Sequence, residues 1–278
     1  MTKRIIAGLA LAAILFLALW GGGLWFAVPC MITTCLSFYE MIKATVQAGH
    51  KPVQWPCYLC LILSIPLYHF FGSVAMMMPL VGGAFMFIAM TVIFREEPKL
   101  EDIMVSGLPM VSVLLPGLCI LGLQKAPGQG NQTLLLLLAF GIPLIGDTMA
   151  YFIGSRFGKR KLCPAVSPNK SVEGAIAGMA GSVVWAMALA GVFSMFIPIP
   201  PFWHFPILGF IGGVAGQMGD LFASLIKRHC GIKDFSNIIP GHGGMMDRLD
   251  SVYWASAVIY MYLNLCIGSF GAYEGIRE

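Results

Sequence analysis

The sequence predicts an all-α, polytopic integral membrane protein with about nine transmembrane helices and a polar site facing the cytoplasm. Three observations carry that prediction. Apolar residues make up 58% of the 278-residue chain, and the mean hydropathy is +0.82. Charged residues make up only 11%, less than half of the roughly 25% typical of a soluble domain. Apolar runs as long as a bilayer is thick recur from one end of the chain to the other, which is the pattern of spanning helices and not the short alternating segments of a barrel.

The runs put spans at about 5–28, 30–46, 56–71, 73–94, 103–124, 132–154, 174–198, 203–226 and 250–270. Eight spans is the alternative to nine. The first run follows Lys3 and Arg4 and resembles a signal peptide. No small-residue cleavage site closes its apolar core, so it reads as a retained helix. With the N-terminus in the cytoplasm, only Lys125 and Arg277 of the 17 Lys and Arg residues fall outside, a strong positive-inside bias. The net charge of +4 therefore reads as orientation and attraction to anionic headgroups, with no nucleic-acid partner. The expectation is a multi-pass protein of the cell inner (plasma) membrane, with its N-terminus and polar site cytoplasmic.

Eight cysteines are scattered, mostly within apolar runs. Cys57 and Cys60 form a CxxC, but Tyr58 and Leu59 between them are apolar, so small polarizable packing residues explain them better than a redox or metal pair. No disulfide framework is implied.

Chemistry is unevenly spread. Residues 1–130 read as an N-terminal transmembrane scaffold, and residues 131–278 as a catalytic transmembrane region with two cytoplasmic loops. The stretch 95–102, REEPKLED, mixes signs and reads as a solvated face. The two other cytoplasmic loops run from Arg156 to Gly174 and from Ser224 to Asp250. Each follows a span that contains an aspartate, Asp147 and Asp220 respectively. Gly174, Gly178, Gly181 and Ser182, and again Gly209, Gly212, Gly213 and Gly216, have the small-xxx-small spacings of closely packed helices.

At 1.5 Å per residue, Asp220 lies about 10 Å and Asp147 about 13 Å below the cytoplasmic helix ends. A carboxylate at that depth needs a wet cavity, a cation or a partner. For Asp147 a pairing with Arg156 or Lys159 is the plainer alternative. Asp220, Ser224 and Lys227 are spaced i, i+4, i+7 on one helix face, and Asp247 and Asp250 are spaced i, i+3 at the start of the last span. Three carboxylates from two helix ends thus point to one cytoplasmic site. Oxygen-only ligands suit Mg²⁺, completed by waters and substrate phosphates. N-capping is the alternative for Asp247.

Lys227, Arg228, Lys233 and Arg248 surround these acids, either as a topological signal or as phosphate ligands. Carboxylates interleaved with Lys and Arg are the pattern of phosphoryl or nucleotidyl transfer. Pro240, Gly241, Gly243 and Gly244 let the backbone approach a ligand and offer amide donors to phosphate. Among them His242 either meets a phosphate and moves a proton or sits solvated. In the loop SPNKSVEG, Ser171 and Glu173 look like helix-start chemistry, and Lys170 either holds a phosphate or anchors the loop at headgroups. Cys230 and His229 next to His242 suggest zinc, but the remaining neighbours are oxygen donors.

These residues resemble a known family. Ser224-x-x-Lys-Arg, Lys233-Asp234, Pro240-Gly-His-Gly-Gly and Asp247-Arg-x-Asp250 together look like the signature of CTP:phosphatidate cytidylyltransferases, the CDP-diacylglycerol synthases. Asp147-Thr-Met-Ala-Tyr-Phe-x-Gly and Ser167-Pro-x-Lys-Ser-x-Glu-Gly extend the resemblance from about residue 140 to the C-terminus. The first 130 residues match only in hydropathy and span number. The resemblance implies a reaction in which phosphatidate and CTP give CDP-diacylglycerol and pyrophosphate, with Mg²⁺ required. It also implies membrane-lipid contact, a homodimer, a polar funnel open to cytoplasm and bilayer, and a second monovalent cation such as K⁺. It carries metal binding onto Asp220 and Asp247. It puts Lys227, Arg228, His242, Arg248 and Asp250 on signature positions, with Ser167, Lys170 and Glu173 beside them.

The nearest alternative is a sister cytidylyltransferase acting on another lipid phosphate. A CDP-alcohol phosphotransferase is disfavoured, because its compact Asp-x-x-Asp-Gly…Gly-x-x-x-Asp-x-x-x-Asp run is absent. A transporter would place its polar residues at the midplane between inverted halves, whereas here they gather at one face.

Overall fold

The computed structural model describes residues 17, 21–71, 74, 77–126, 130–238 and 243–267. The span expected at 5–28 lies mostly outside the described residues, as do Pro240, Gly241 and His242. Eight helices are seen among the described residues: α1 (Gly23–Gln47), α2 (Gln54–Phe71), α3 (Met78–Ile93), α4 (Leu100–Gln124), α5 (Asn131–Phe157), α6 (Val172–Phe193), α7 (His204–His229) and α8 (Met246–Tyr262). α1, α4, α5, α6 and α7 are long and apolar enough to cross a membrane, and α2 and α3 are shorter apolar helices. That is the architecture of a multi-pass membrane protein.

The helices follow the apolar runs with two differences. A break expected near residue 29 is absent, because α1 continues through Pro29. A proline removes one ladder bond, and in an apolar helix neighbouring groups re-satisfy the freed carbonyl. The stretch 95–102 is also not simply a solvated face. Asp102 is 3% exposed. It accepts the Lys51 N–H at 2.9 Å and pairs with Arg95 Nη1 at 2.9 Å, while Arg95 also donates to the Lys51 carbonyl at 2.8 Å. The buried carboxylate ties the α1–α2 and α3–α4 connections together, with its charge paired and both oxygens satisfied. The mixed signs concealed that one of the acids turns inward. Within α4, a π turn at Met110–Leu114 lies between Pro109 and Pro116, whose missing N–H groups interrupt the i→i−4 ladder.

The chain divides into two compact units. The first contains Leu24–Gly122 and Ile226–Leu249, so the last turn of α7, the following loop and the first turn of α8 belong with α1–α4. Here Ser106 Oγ accepts the Val53 N–H at 2.9 Å, and Ser112 Oγ donates to Met41 Sδ at 3.4 Å. Trp55 meets Phe87 edge to face at 4.8 Å. Cys57 and Cys60 are buried, and the Cys57 thiol donates to the Val53 carbonyl at 3.1 Å. All eight cysteines are unbridged.

The second unit contains Leu123–Leu225 and the stretch from Asp250. Its centre is the contact of α5 with α6, and the small residues make that contact possible. A Cβ on Gly178 would lie 2.8 Å from the Gly146 carbonyl oxygen and 3.0 Å from Gln217 Nε2. A Cβ on Gly209 would lie 2.6 Å from Val183 Cα, and one on Gly219 2.6 Å from the Asp250 carbonyl oxygen. Polar cross-ties follow from this approach: Ser182 Oγ donates to Ile142 O at 2.9 Å, Trp185 Nε1 to Leu137 O at 3.2 Å and Gln217 Nε2 to Ala175 O at 2.9 Å. Gly178→Leu should therefore force α5 and α6 apart, at an overpacking cost of about 1–3 kcal/mol or more. The check is the thermal unfolding midpoint in detergent, and an unchanged midpoint would contradict this packing.

Candidate active site

In the second unit, chemistry gathers where the α5–α6 connection folds back. β1 (Lys161–Cys163) and β2 (Ser167–Ser171) pair antiparallel, with Lys161 opposite Ser171 and Cys163 opposite Ser167. Ser171 caps α6 by accepting the Gly174 N–H at 3.2 Å. Glu173 accepts the N–H groups of Lys159 at 3.1 Å and Arg160 at 3.2 Å, and the Val172 N–H donates to the Arg160 carbonyl at 2.9 Å. These backbone contacts engage the glutamate's carboxylate. Ser171 and Glu173 thus shape the loop, and Ser167 sits half-exposed at the far end of the hairpin.

Lys170 is the loop candidate whose side chain enters a cavity, where it pairs with Asp220. The cavity is about 490 Å³, and its lining includes Asp147, Tyr151, Asn169, Lys170, Gln217 and Asp220. Ser224 Oγ lies 3.5 Å from Asp220 Oδ1, at the outer limit of a hydrogen bond. Asp147 is open to the cavity, with Ser251 Oγ 3.5 Å from its Oδ2. Asp250 is buried, and its Oδ1 accepts the Ser251 N–H at 2.7 Å. The α5 aspartate, the α7 aspartate and the loop lysine, which are far apart in sequence, therefore line one cavity.

In the first unit the loop after α7 is built around Asp247. α7 ends at Gly231, where φ is +66° and the Ile232 N–H returns to the Lys227 carbonyl at 2.9 Å. Lys227 Nζ meets Asp247 Oδ1 at 2.6 Å, with the side chains 12% and 5% exposed. The second oxygen, Oδ2, accepts the N–H groups of Phe235 at 2.9 Å and Gly244 at 3.0 Å. Asp247 is therefore not an N-cap serving the turn ahead of it, because it gathers the loop behind it. The ammonium of Lys227 also lies 5.5 Å from the Phe235 ring centroid. Gly243 has φ +83°, and a Cβ there would come within 3.2 Å of Asp247 Oδ2. Arg228, Lys233 and Arg248 are exposed. His229 stacks on His50, with 3.0 Å between their Nε2 atoms. Cys230 is buried, and burial pushes its thiol up, away from the thiolate a zinc ligand requires.

One participant was missed in the scaffold region. Glu40, in α1, is completely buried and accepts hydrogen bonds from Ser236 Oγ, the Met245 N–H at 3.0 Å and the Met246 N–H at 2.8 Å. It is the lone acid of α1. The reasoning applied to Asp147 and Asp220, that an acid inside an apolar run needs a purpose, covers it equally. Gln217, Asn169 and Tyr151 line the cavity with weaker signals, since amides and tyrosines are common at helix ends.

Carboxylates paired with lysines in a multi-pass membrane chain are the pattern of membrane enzymes that act on phosphates. The model of the cytidylyltransferase family matches residues 2–266, and the chain belongs to that family. A phosphatidate cytidylyltransferase of Brucella abortus (strain 2308) is 30% identical over 264 residues, which is 93% of this chain and 92% of that protein. The phosphatidate cytidylyltransferase of Bacillus subtilis (strain 168) is 44% identical over 120 residues, 43% of each chain. That of Staphylococcus saprophyticus is 32% identical over 184 residues, 66% of this chain and 68% of its own.

Proposed function

We propose that the protein transfers a cytidylyl group from CTP to phosphatidate, giving CDP-diacylglycerol and pyrophosphate for phospholipid biosynthesis. The family membership and the relatives' names support the reaction. The observation that carries it to particular residues is the cavity that Asp147, Lys170 and Asp220 share. The finer topology belongs to the same reading: nine spans, a cytoplasmic N-terminus, a site open to the cytoplasm of the inner (plasma) membrane, and a homodimer.

Asp220 and Asp247 are the proposed Mg²⁺ ligands. Their chemistry fits, since each presents a carboxylate oxygen to a lysine ammonium, a cation already drawn to the position. Among the described residues no group of three or more His, Cys, Asp or Glu side chains forms a cage. Mg²⁺ is commonly held by one or two carboxylates, with waters and substrate phosphates completing its shell. When bound, it supplies positive charge that neutralises the triphosphate. A second, monovalent cation such as K⁺ stays an expectation of the resemblance, with no residue assigned to it.

The chain's own residues meet the remaining demands of the reaction. The phosphate of phosphatidate is anionic at neutral pH and attacks the α-phosphorus of CTP in line, so no strong general base is needed. The difficulty is holding two polyanions together, and ordered cations answer it. Lys170 and Lys227 are held in place by Asp220 and Asp247, while Arg228, Lys233 and Arg248 are exposed to incoming phosphates. Asp147 and Asp250 orient polar neighbours through Ser251. His242 and the amide of Gly243 are proposed phosphate donors, whereas the Gly244 N–H, expected to do the same, is taken up by Asp247 Oδ2; Ser167, Ser171, Glu173 and Ser224 support the two loops.

Two measurements test this. Purified protein given labelled CTP and Mg²⁺ should release pyrophosphate only when phosphatidate is added, and a panel of lipid phosphates separates phosphatidate from a sister substrate. Pyrophosphate release that ignores the lipid, or none at all, sinks the proposal. Lys170→Ala should raise the apparent KM for CTP about tenfold, the scale of one hydrogen bond to a charged group, with a smaller change in kcat. An unchanged KM would make the Ser-Pro-x-Lys loop purely structural.

A further inference from the structure

Glu40 is the least expected group in the molecule. It has no exposed surface and sits in an apolar helix within the region whose sequence reads as scaffold. An ionised carboxylate in that setting is costly unless its oxygens are fully engaged. They are engaged by three donors from one place: the Ser236 hydroxyl and the N–H groups of Met245 and Met246. None of the three is a cation. Met246 opens α8, so Glu40 sits at the positive end of that helix, where a negative charge is favoured. The fit is close, since a Cβ on Gly244 would come within 2.7 Å of Glu40 Oε2.

The next residue in the chain is Asp247. Its Oδ2 holds Phe235 and Gly244, the immediate neighbours of the Ser236 and Met245 that Glu40 holds. Two carboxylates therefore divide the two arms of one loop between them. Glu40 takes one residue of the outgoing arm and two of the returning arm. Asp247 takes the adjacent residue of each arm and keeps Oδ1 for Lys227. Releasing the Glu40 contacts would free the start of α8, and with it the direction of the Asp247 carboxylate.

We propose that Glu40 is a positioning residue for the transfer reaction: it clamps the N-terminus of α8 and the Ser236 arm, and so aims Asp247 and Lys227. This rests on the reading of Asp247 as a residue that serves catalysis. Glu40 touches no reacting atom. Its role is to make the first unit's loop rigid, which places part of the site's precision in α1.

The test uses the full-length enzyme and the variants Glu40→Gln and Glu40→Asp. Gln keeps the shape but puts an amide NH₂ against backbone donors, and Asp keeps the charge but withdraws it by one methylene. Both should lower kcat by about tenfold or more, the loss of one or two charge-assisted hydrogen bonds expressed as rate, with KM for CTP changed less. Half-saturating Mg²⁺ should rise, and amide exchange at 243–247 should accelerate. A general loss of stability would lower the active fraction without moving the Mg²⁺ half-saturation of what remains. A folded Glu40→Gln with wild-type kcat, Mg²⁺ dependence and amide exchange overturns the proposal. If neither variant purifies, Ser236→Ala carries the test, because it removes one of the clamp's three contacts and leaves the carboxylate. Unchanged exchange and Mg²⁺ dependence there overturn it equally. Near-normal activity in Asp247→Asn would instead remove the reading on which the proposal rests, so the two failures are distinguishable.

Discussion

Asp220→Asn is expected to abolish CTP-dependent product formation while leaving a protein that inserts, purifies and melts nearly as the wild type does. The two halves of that result have different physical origins. The ion pair of Asp220 with Lys170 is partly open, with side chains 28% and 26% exposed. A pair so hydrated contributes only about 0–1 kcal/mol to stability, and the lysine left behind stays in contact with water. The carboxylate's role in the reaction is far larger. Losing one preorganised charge at a transferring phosphate costs about 3–4 kcal/mol of transition-state stabilisation, a rate loss on the order of 10²–10³. Asn preserves the shape and the reach to Ser224, so the loss would come from charge alone. Pyrophosphate release and thermal midpoint measured on one preparation give both halves. Near-normal turnover would remove Asp220 from the metal assignment.

Much of the membrane architecture was legible in the sequence because hydropathy acts over whole runs. The limits of α4, α5, α6 and α7 lie close to the apolar segments expected at 103–124, 132–154, 174–198 and 203–226. The glycine spacings were legible for a similar reason, since Gly174, Gly178, Gly209 and Gly213 meet backbone or small side chains at distances no other residue tolerates. The division between the runs at 5–28 and 30–46 misled, because a helix in apolar surroundings can continue through a proline such as Pro29. The 95–102 stretch misled because a charge pattern cannot say which acid turns inward to meet Arg95 and Lys51.

The site was legible as residue types and less so as partnerships. Asp147, Asp220 and Asp247 stand out by depth and spacing, and Lys170 and Lys227 by their motifs. Which lysine meets which aspartate was not, because those pairings depend on a hairpin and a turn rather than on helix periodicity. Ser171 and Glu173 were legible as helix-start chemistry, and their hydrogen bonds do go to Gly174, Lys159 and Arg160. Glu40 was lost because the N-terminal half was judged by its overall lack of charge. Within α1 it is as anomalous as Asp220 is within α7.

Asp247→Asn should abolish activity too, but by a route that also damages the fold, and the contrast with Asp220 is the informative part. Asp247 and Lys227 are 5% and 12% exposed. Removing one charge from a buried pair leaves the other uncompensated, at a cost of about 3–5 kcal/mol. Asn also presents an NH₂ where Oδ2 accepts Phe235 and Gly244, so the loop loses an anchor. The single variant should therefore show a lowered thermal midpoint along with lost turnover, unlike Asp220→Asn. Adding Lys227→Met removes the stranded ammonium and places an unbranched apolar chain along the Phe235 ring, so the double variant should recover most of the midpoint. It should recover no activity, because neither the carboxylate nor the ammonium has been returned. Turnover regained together with stability would mean that Asp247 and Lys227 only hold the loop. Stability regained without turnover would give this pair a part in the chemistry that its structural role does not explain.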